Sequence, residues 1–452
     1  MLRIILLLIS SHFLFNEFYA QSETVRVIGD SLVGKVIGGE NVRVVTGNVK
    51  INQGNVNITC RQAIQFLKRN EVELLGNVLV KQDSVVIRTE RGYYYGREKI
   101  SYSDTSVYLD DGHIQLSADT GYYYFNEEKA LFISNVNLYE GFTKLFSNRL
   151  TYFNKLDEAV ALGDVIVSDT ATIIFADSLQ HSKSKNISIA YSNVKIVNEI
   201  NNIIITGDKL EDFGDSNLTR ITGHPVLIQI DTSSTGIVDS LIITSLIMET
   251  IDDSSAKLIA KDSVRIVRGA FASENEFTLY FRDDKKIVTF KTGEREPSPV
   301  MWYENTQLTG DSITIFTKEN QIDWINIDRN AFILTSNEKY NNRYDQISGR
   351  NIKMYFSEGR INKTIVNGGV LSIYYMYEDG EANGLIKSSA ENINIFFDSS
   401  KVSDVKMYGT PASEYHPENL VKGNEKEFTL PSFKIYLNRP KKESILQLKK
   451  RK

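Results

Sequence analysis

The sequence is poor in the residues that usually carry covalent and metal chemistry. Cys60 is the only cysteine among 452 residues, so an intramolecular disulfide is excluded and burial and backbone pairing must hold the fold. Four histidines lie beyond the first twenty residues, and none has the spacing of metal ligands. The sequence contains no glycine-rich phosphate loop and no nucleophile elbow. We therefore predict a protein without cofactor or metal that is not an enzyme, while a lyase-type acidic site remains an alternative.

The chain also lacks a basic field and a long apolar run. Its formal net charge is -5, which argues against nucleic acid as a partner. Apolar residues are concentrated at the start, where Arg3 precedes the short run Ile4–Ile9 and Ala20 offers a cleavage position. The run is too short to span a membrane comfortably. It predicts a signal peptide over residues 1–20 and export of the mature chain.

A ladder of valines with a step of 29 residues is the strongest pattern present. A branched apolar residue also stands two and nine positions after each valine. A fixed period of this length is typical of stacked supersecondary units, and we predict that these side chains line one apolar face. The eighteen positions are Val49, Ile51, Ile58, Val78, Val80, Ile87, Val107, Leu109, Leu116, Val136, Leu138, Leu145, Val165, Val167, Ile174, Val194, Ile196 and Ile203.

Turn residues occur twice in each 29-residue unit, for example around Gly54 and around Asn70. Two turns leave two strands of about ten residues, which predicts an antiparallel meander. The pairs Gly47-Asn48 and Gly76-Asn77 stand directly before ladder valines. Glycine inside a strand often marks a bulge, so we expect a bend there that folds the sheet over with its apolar face inward. A small residue is expected eleven positions after each valine, where Cys60 lies.

An aromatic column follows the ladder residues, with Tyr93 to Tyr95 and Tyr122 to Tyr124 as its clearest copies. A short polar or acidic residue, such as Glu90 or Asp119, precedes it. Cross-strand stacking on a solvated face explains these rings. A rim of amphipathic rings beside a lipid-binding groove is the alternative interpretation.

The ladder loses its spacing near Pro225, the first proline of the chain. We predict repeats over 21–223, a boundary segment over 224–256, a second β region over 257–437 and a solvated basic tail over 438–452. The second region has a looser repeat, in which the segments 310–316, 349–356 and 390–397 resemble one another. Each is followed by a turn and a second alternating strand.

These features together resemble the OstA/LptA-type proteins of lipopolysaccharide transport. The resemblance is carried by the Gly-Asn-Val step, by the step Ala118-Asp119-Thr120-Gly121-Tyr122-Tyr123 and by the secretory start. It is best over 25–223 and weaker to about 410. It implies an all-β fold, a meander folded into an open V-shaped β-jellyroll, with a second similar region. It also implies an apolar interior that shields lipid acyl chains, and edge strands that join subunits end to end.

The predicted function is that of a periplasmic conduit that carries lipopolysaccharide or a similar glycolipid from inner to outer membrane. The eighteen ladder residues would line its groove. Expected partners are the lipid, other transport components through edge-strand pairing, and a second copy of the chain. The mature protein is placed in the periplasm, with an association with the outer membrane as a further expectation. A structural or carbohydrate-binding β-solenoid with a filled interior is the alternative, and an outer-membrane barrel is a third.

Overall fold

The computed structural model describes residues 25–82, 85–110, 114–232, 236, 238–251, 257–318, 321–399 and 401–448. The predicted signal peptide and the last four residues lie outside this part of the chain. Most of the described residues belong to strands, and the described pairings are antiparallel, which confirms the all-β antiparallel fold class. The chain divides into two compact units, unit 1 to Ile133 and unit 2 from Ser134.

Unit 1 is a meander in which most strands pair with their neighbours in sequence. Strand β3 is long enough to pair with β1 through one half and with β2 through the other. The strands are β1 (Arg26–Ile28), β2 (Ser31–Ile37), β3 (Glu40–Gln53), β4 (Val56–Phe66), β5 (Glu71–Gln82), β6 (Val85–Tyr95), β7 (Ile100–Ser103), β8 (Val107–Asp110), β9 (Ile114–Ala118) and β10 (Thr120–Tyr124). Strand β11 (Lys129–Glu140) begins in unit 1 and ends in unit 2.

Unit 2 continues the same pattern with strands of up to 19 residues. Its strands are β12 (Thr143–Phe153), β13 (Glu158–Ser168), β14 (Thr172–Ser182), β15 (Ile187–Asn198), β16 (Ile203–Phe213), β17 (Leu218–Thr222), β18 (Val226–Thr232), β19 (Val238–Thr244), β20 (Ile247–Ile251), β21 (Lys257–Arg268), β22 (Phe271–Phe281), β23 (Lys286–Phe290), β24 (Val300–Tyr303), β25 (Thr306–Thr309), β26 (Ser312–Lys318), β27 (Gln321–Ser336), β28 (Tyr344–Ser357), β29 (Arg360–Glu378), β30 (Glu381–Asp398), β31 (Lys401–Tyr408) and β32 (Ala412–His416).

Short helical turns connect or follow these strands. Two are 3-10 turns between strands, at Asn154–Leu156 and Gly214–Ser216. After β32 the chain forms α1 (Glu418–Val421), a 3-10 turn (Glu425–Glu427) and α2 (Lys442–Leu448). No helix among the described residues is long and apolar enough to cross a membrane.

The predicted bend is present in the ladder strands. Gly47 and Asn48 have φ of 76° and 46°, and both oppose a single residue of β4, which is the pattern of a β-bulge. The same left-handed pair recurs at Gly76-Asn77, Ser134-Asn135, Gly163-Asp164 and Ser192-Asn193. The third repeat has no such pair before Val107, and its strand is interrupted between β7 and β8 instead.

Side chains from the adjacent strand support the bulges. Asn48 donates to the carboxylate of Asp30 at 2.9 Å, and Asn193 donates to Asp177 at 2.8 Å. At the Gly163-Asp164 bulge the carboxylate belongs to the bulge, and Asn148 of the neighbouring strand donates to it at 2.9 Å. The short polar residue that precedes the aromatic column is therefore explained by the backbone bend it supports, as Asp177 shows.

The sheet of unit 2 folds at these bends and buries one face. Val194 and Ala190, on opposite sides of the Ser192-Asn193 bulge, belong to the same apolar cluster. Val366 and Val370, which flank the pair Gly368-Gly369, do so as well. The strands that carry such a pair thus have two arms whose inner faces contact one another, as the sequence predicts.

The second β region follows its predicted pattern. Segments 349–356 and 390–397 fall within β28 and β30, and segment 310–316 begins two residues before β26. The second strand expected after each is present as β27, β29 and β31. The predicted boundary segment 224–256 contains β18, β19 and β20, all in unit 2. The proposed domain limits remain predictions.

A strap formed by residues 417–446 covers part of the outer face of unit 2. Gln346 exchanges two hydrogen bonds with the strap backbone, at Phe428 and Leu430, at 3.0 and 2.8 Å. Gln307 does the same with the backbone of residues 434 and 436. Ile445 is 2% exposed, so this part of the predicted basic tail is packed on the protein.

Candidate functional site

The ladder valines are the deepest part of the predicted groove. All except Val107 follow a left-handed pair directly, and the exposed fraction of the six side chains is between 0% and 3%. The paired residue is small in the five pairs that the structure describes: Cys60, Thr89, Ala118, Ala176 and Gly207. A small partner leaves room for the valine at the corner of the fold. This packing explains why the ladder position is always valine.

The residues two and nine positions after each valine form a continuous stripe in unit 1. Ile51 pairs with Ile58, Ile58 with Val80 and Val80 with Ile87 on successive strands. The stripe continues from Ile87 to Leu109 and from Leu109 to Leu116. The structure therefore brings these predicted residues together on one face.

Unit 2 contains the corresponding stripe, with one change of register. Leu145 pairs with Val167, Val167 with Ile174 and Ile174 with Ile196. Ile196 then pairs with Ile205, because the turn before β16 is longer than in the other repeats. Ile203 pairs with Asn198 instead, closer to the turn, although it still contacts the same apolar cluster.

Burial decreases along this stripe. Ile51, Ile58, Val80 and Ile87 are 1%, 1%, 5% and 7% exposed, whereas all later members except Leu116 are only partly buried. The half-buried positions are Leu109, Leu138, Leu145, Val167, Ile174, Ile196 and Ile203. The predicted groove is thus closed in its first repeats and presents apolar side chains to solvent in the later ones.

In the described part of unit 1, a small cavity of about 20 Å³ lies between the strands. Its wall includes Leu74 and Phe132 from one arm and Val80 and Ile87 from the other, so the two arms face each other across it. The space suits about one water molecule and is far too small for an acyl chain. A lipid could enter here only if the arms moved apart.

The C-terminal part of unit 2 is packed rather than open. A single apolar cluster extends from Ala176 to Ile393 and includes Ile325, Ile327 and Ile352, each 0% exposed. Polar residues that interrupt it satisfy one another: Thr278 donates to Asn275 at 2.7 Å. This region has the filled interior of a structural core.

The inner face of the arm that precedes each bulge was not among the predicted groove residues. Leu150 and Leu179 occupy it, and the matching positions in the first three repeats are Ala63, Gly92 and Gly121. Because this column mixes glycine, alanine and leucine, a search for branched apolar residues does not find it. Its 29-residue spacing was the signal available.

Cys60 lies beside the deepest valine of the first repeat. Burial raises the pKa of its thiol to about 11, and its Sγ donates to the backbone oxygen of Gln62 at 3.2 Å. A thiol held in its protonated form is a poor nucleophile. Among the described residues, no group of three or more His, Cys, Asp or Glu side chains is placed to hold a metal ion.

Comparison with known proteins supports the resemblance. Residues 29–155 match the family model described as OstA-like protein, which spans β2 to β12. Among solved structures, the chain is similar to LptH of Pseudomonas aeruginosa, the LptA homologous periplasmic component of its lipopolysaccharide transport device. Identity is 15%, the match covers 38% of this chain and 83% of LptH, and the TM-score is 0.11. No curated protein sequence matches the chain.

Proposed function

Because residues 29–155 match the OstA-like family, we propose that this chain is a periplasmic, non-enzymatic lipid-binding protein. In this proposal it helps carry lipopolysaccharide or a similar glycolipid from the inner to the outer membrane. The acyl chains contact the ladder stripe, and the sugar portion remains in water. Export through the predicted signal peptide at residues 1–20 belongs to the same proposal.

The half-buried stripe of unit 2 is the observation that supports this proposal best. Leu145, Val167, Ile174 and Ile196 are cross-strand neighbours on one face, and each leaves part of its side chain exposed. Contiguous exposed apolar surface costs about 25 cal/mol for each Å² left in water. An acyl chain lying along the stripe would remove that cost, and successive strands would offer it similar contacts.

Exposed edge strands support the proposed partners. Strand β2 is exposed along its whole length, including Leu32 at 60% and Val36 at 69%. Strand β31 is almost as open, with Val405 at 47%. Unpaired backbone donors and acceptors on such edges can accept a strand from another chain. We assign these edges to other transport components or to a second copy of this chain.

A charge placed on the stripe tests the lipid proposal. Ile174→Asp puts a carboxylate against the acyl chain, and we expect it to weaken binding of lipopolysaccharide to the purified mature protein by at least tenfold. Phe175→Asp is the matched control, because Phe175 is the next residue on the same strand and pairs with Ile166 on the other face. It should bind like the wild type. Equal binding by both folded variants would contradict the proposal.

The packed core in the C-terminal part of unit 2 favours a second role for that part. Its filled interior suits the structural or carbohydrate-binding function of the alternative hypothesis. If the wild-type protein binds no lipid but retains glycans, the alternative replaces the lipid proposal for the whole chain.

A further inference from the structure

The outer face of the last strands of unit 2 carries a row of aromatic and basic side chains. Successive cross-strand pairs join Lys286 to Phe316, Phe316 to Trp324 and Trp324 to Tyr355. The row continues from Tyr355 to Lys363, Phe396 and Asp404. The alternate residues Ile287, Ile315, Ile325 and Met354 lie in the apolar cluster, so the row is on the opposite face.

Aromatic rings hold four lysines on this face. The Nζ of Lys353 lies 4.6 Å from the centre of the Trp324 ring. The ring of Phe316 stacks on the Trp324 ring, with 4.8 Å between the two ring centres. Lys363 and Lys406 lie on the ring of Phe396, at 5.3 and 5.2 Å. Lys286 lies 4.5 Å from the ring of Phe281. We call Lys286, Lys353, Lys363 and Lys406 the lysine strip.

No carboxylate among the described residues forms an ion pair with the lysine strip, although the chain has a net charge of -5. Some cations elsewhere in unit 2 are neutralised: Lys261 pairs with Glu249 at 2.7 Å, and Arg268 pairs with Asp231 and Asp239. Cation–π contact orients an ammonium group without cancelling its charge. The four lysines outnumber Asp404, the carboxylate at the end of the row, so this surface is positive on an acidic protein.

The shape of the strip selects the partner. From Lys286 on β23 to Lys406 on β31 there are six steps between paired strands, or about 29 Å at about 4.8 Å for each step. The rings stand between lysines with their faces covered, so they are poorly placed to insert into a membrane. The sheet also separates the strip from the apolar interior. The four lysines lie on β23, β28, β29 and β31, three, one and two strand steps apart, so positive charge recurs at unequal intervals across this length. Positive charge spread over such a distance matches an extended polyanion.

We propose that the lysine strip binds an extended anionic polysaccharide whose carboxylates contact Lys353, Lys363 and Lys406. This site is on the opposite face from the proposed lipid stripe and does not depend on it. The aromatic rings position the ammonium groups, so affinity depends on the rings as well as on the charge.

Polygalacturonate is a suitable probe, with neutral dextran as the uncharged comparison, and Trp324 fluorescence reports its approach. The full mature chain should bind polygalacturonate and not dextran. The triple variant K353Q/K363Q/K406Q should lose at least tenfold in affinity. The matched triple K183Q/K185Q/K426Q removes the same charge from exposed positions of unit 2 outside the strip and should remain within twofold of the wild type.

A second variant separates positioning from charge. Phe396→Leu keeps all four lysines but removes the ring between Lys363 and Lys406, and we expect a loss of about threefold with calorimetry as the readout. Equal losses of affinity in the two triple variants would show that binding depends only on net charge, and would overturn the proposal. It would also be overturned if the wild type bound anionic phospholipid vesicles but not polygalacturonate. Lipid capture tested at Ile174 is unaffected by either result.

Discussion

Leu210 tests which face of the strands forms the core. It is 2% exposed, and its cross-strand neighbours Ala190 and Ile221 are 0% and 1% exposed. Truncating a buried leucine to alanine costs about 2 to 5 kcal/mol, depending on how far the site collapses. Because Ala190 is already small, little side chain is available to fill the space. We expect Leu210→Ala to cost about 3 to 5 kcal/mol.

Urea unfolding of the mature chain measures this cost, since Trp302 and Trp324 both lie in unit 2 and report its transition. Leu162→Ala is the matched control, because Leu162 is 41% exposed on the other face and should cost less than about 1 kcal/mol. Similar losses for Leu210→Ala and Leu162→Ala would show that the assignment of inner and outer faces is wrong.

Three further predictions concern single groups. Burial raises the pKa of Asp345 to about 7, although the hydrogen bond donated by the Tyr375 backbone opposes this shift. The native state therefore binds the carboxyl proton of Asp345 more tightly than the unfolded chain does. Stability should fall as pH rises from about 4 to about 7, and Asp345→Asn should flatten that fall in urea midpoints. Cys60 should resist alkylation at pH 8 in the native protein and react after unfolding, as mass spectrometry would record. Gly163→Ser should cost about 1 kcal/mol, since Ser192 occupies the equivalent left-handed position, and Gly163→Val should cost more in the same urea assay.

The bends of the sheet could be predicted from sequence because their chemistry is local. A Gly-Asn pair favours left-handed backbone wherever it stands, and both residues of Gly76-Asn77 adopt it. The valine that follows, and the small residue eleven positions after it, were predicted from the 29-residue spacing instead. Copies that use serine or aspartate in place of glycine or asparagine, such as Gly163-Asp164, were found only through the 29-residue spacing.

The depth of the groove could not be predicted from the ladder. Ile58 and Ile174 occupy equivalent positions, yet Ile58 is 1% exposed and Ile174 is half-buried. The difference depends on how closely the two arms of each strand approach. That distance reflects packing across the fold, which a periodic pattern in one strand does not encode.

The strap was missed for a related reason. Residues 417–446 have neither a helical nor a strand period, and they are held by single side chains distant in sequence. Arg343, for example, donates to both carboxylate oxygens of Glu418, at 2.9 and 2.6 Å. The basic composition of the final residues suggested a solvated tail, but the pockets that receive Val421 and Ile445 exist only in the folded sheet.

Photo-crosslinking in cells tests the central claim most directly. A photoreactive amino acid would replace Ile174 in one variant and Phe175 in another, since these adjacent residues lie on opposite faces of β14. The account predicts a lipopolysaccharide adduct at position 174 and none at position 175. An adduct at neither position, or equal adducts at both, in a folded and exported protein would contradict the assignment of the ladder stripe as the lipid-binding surface.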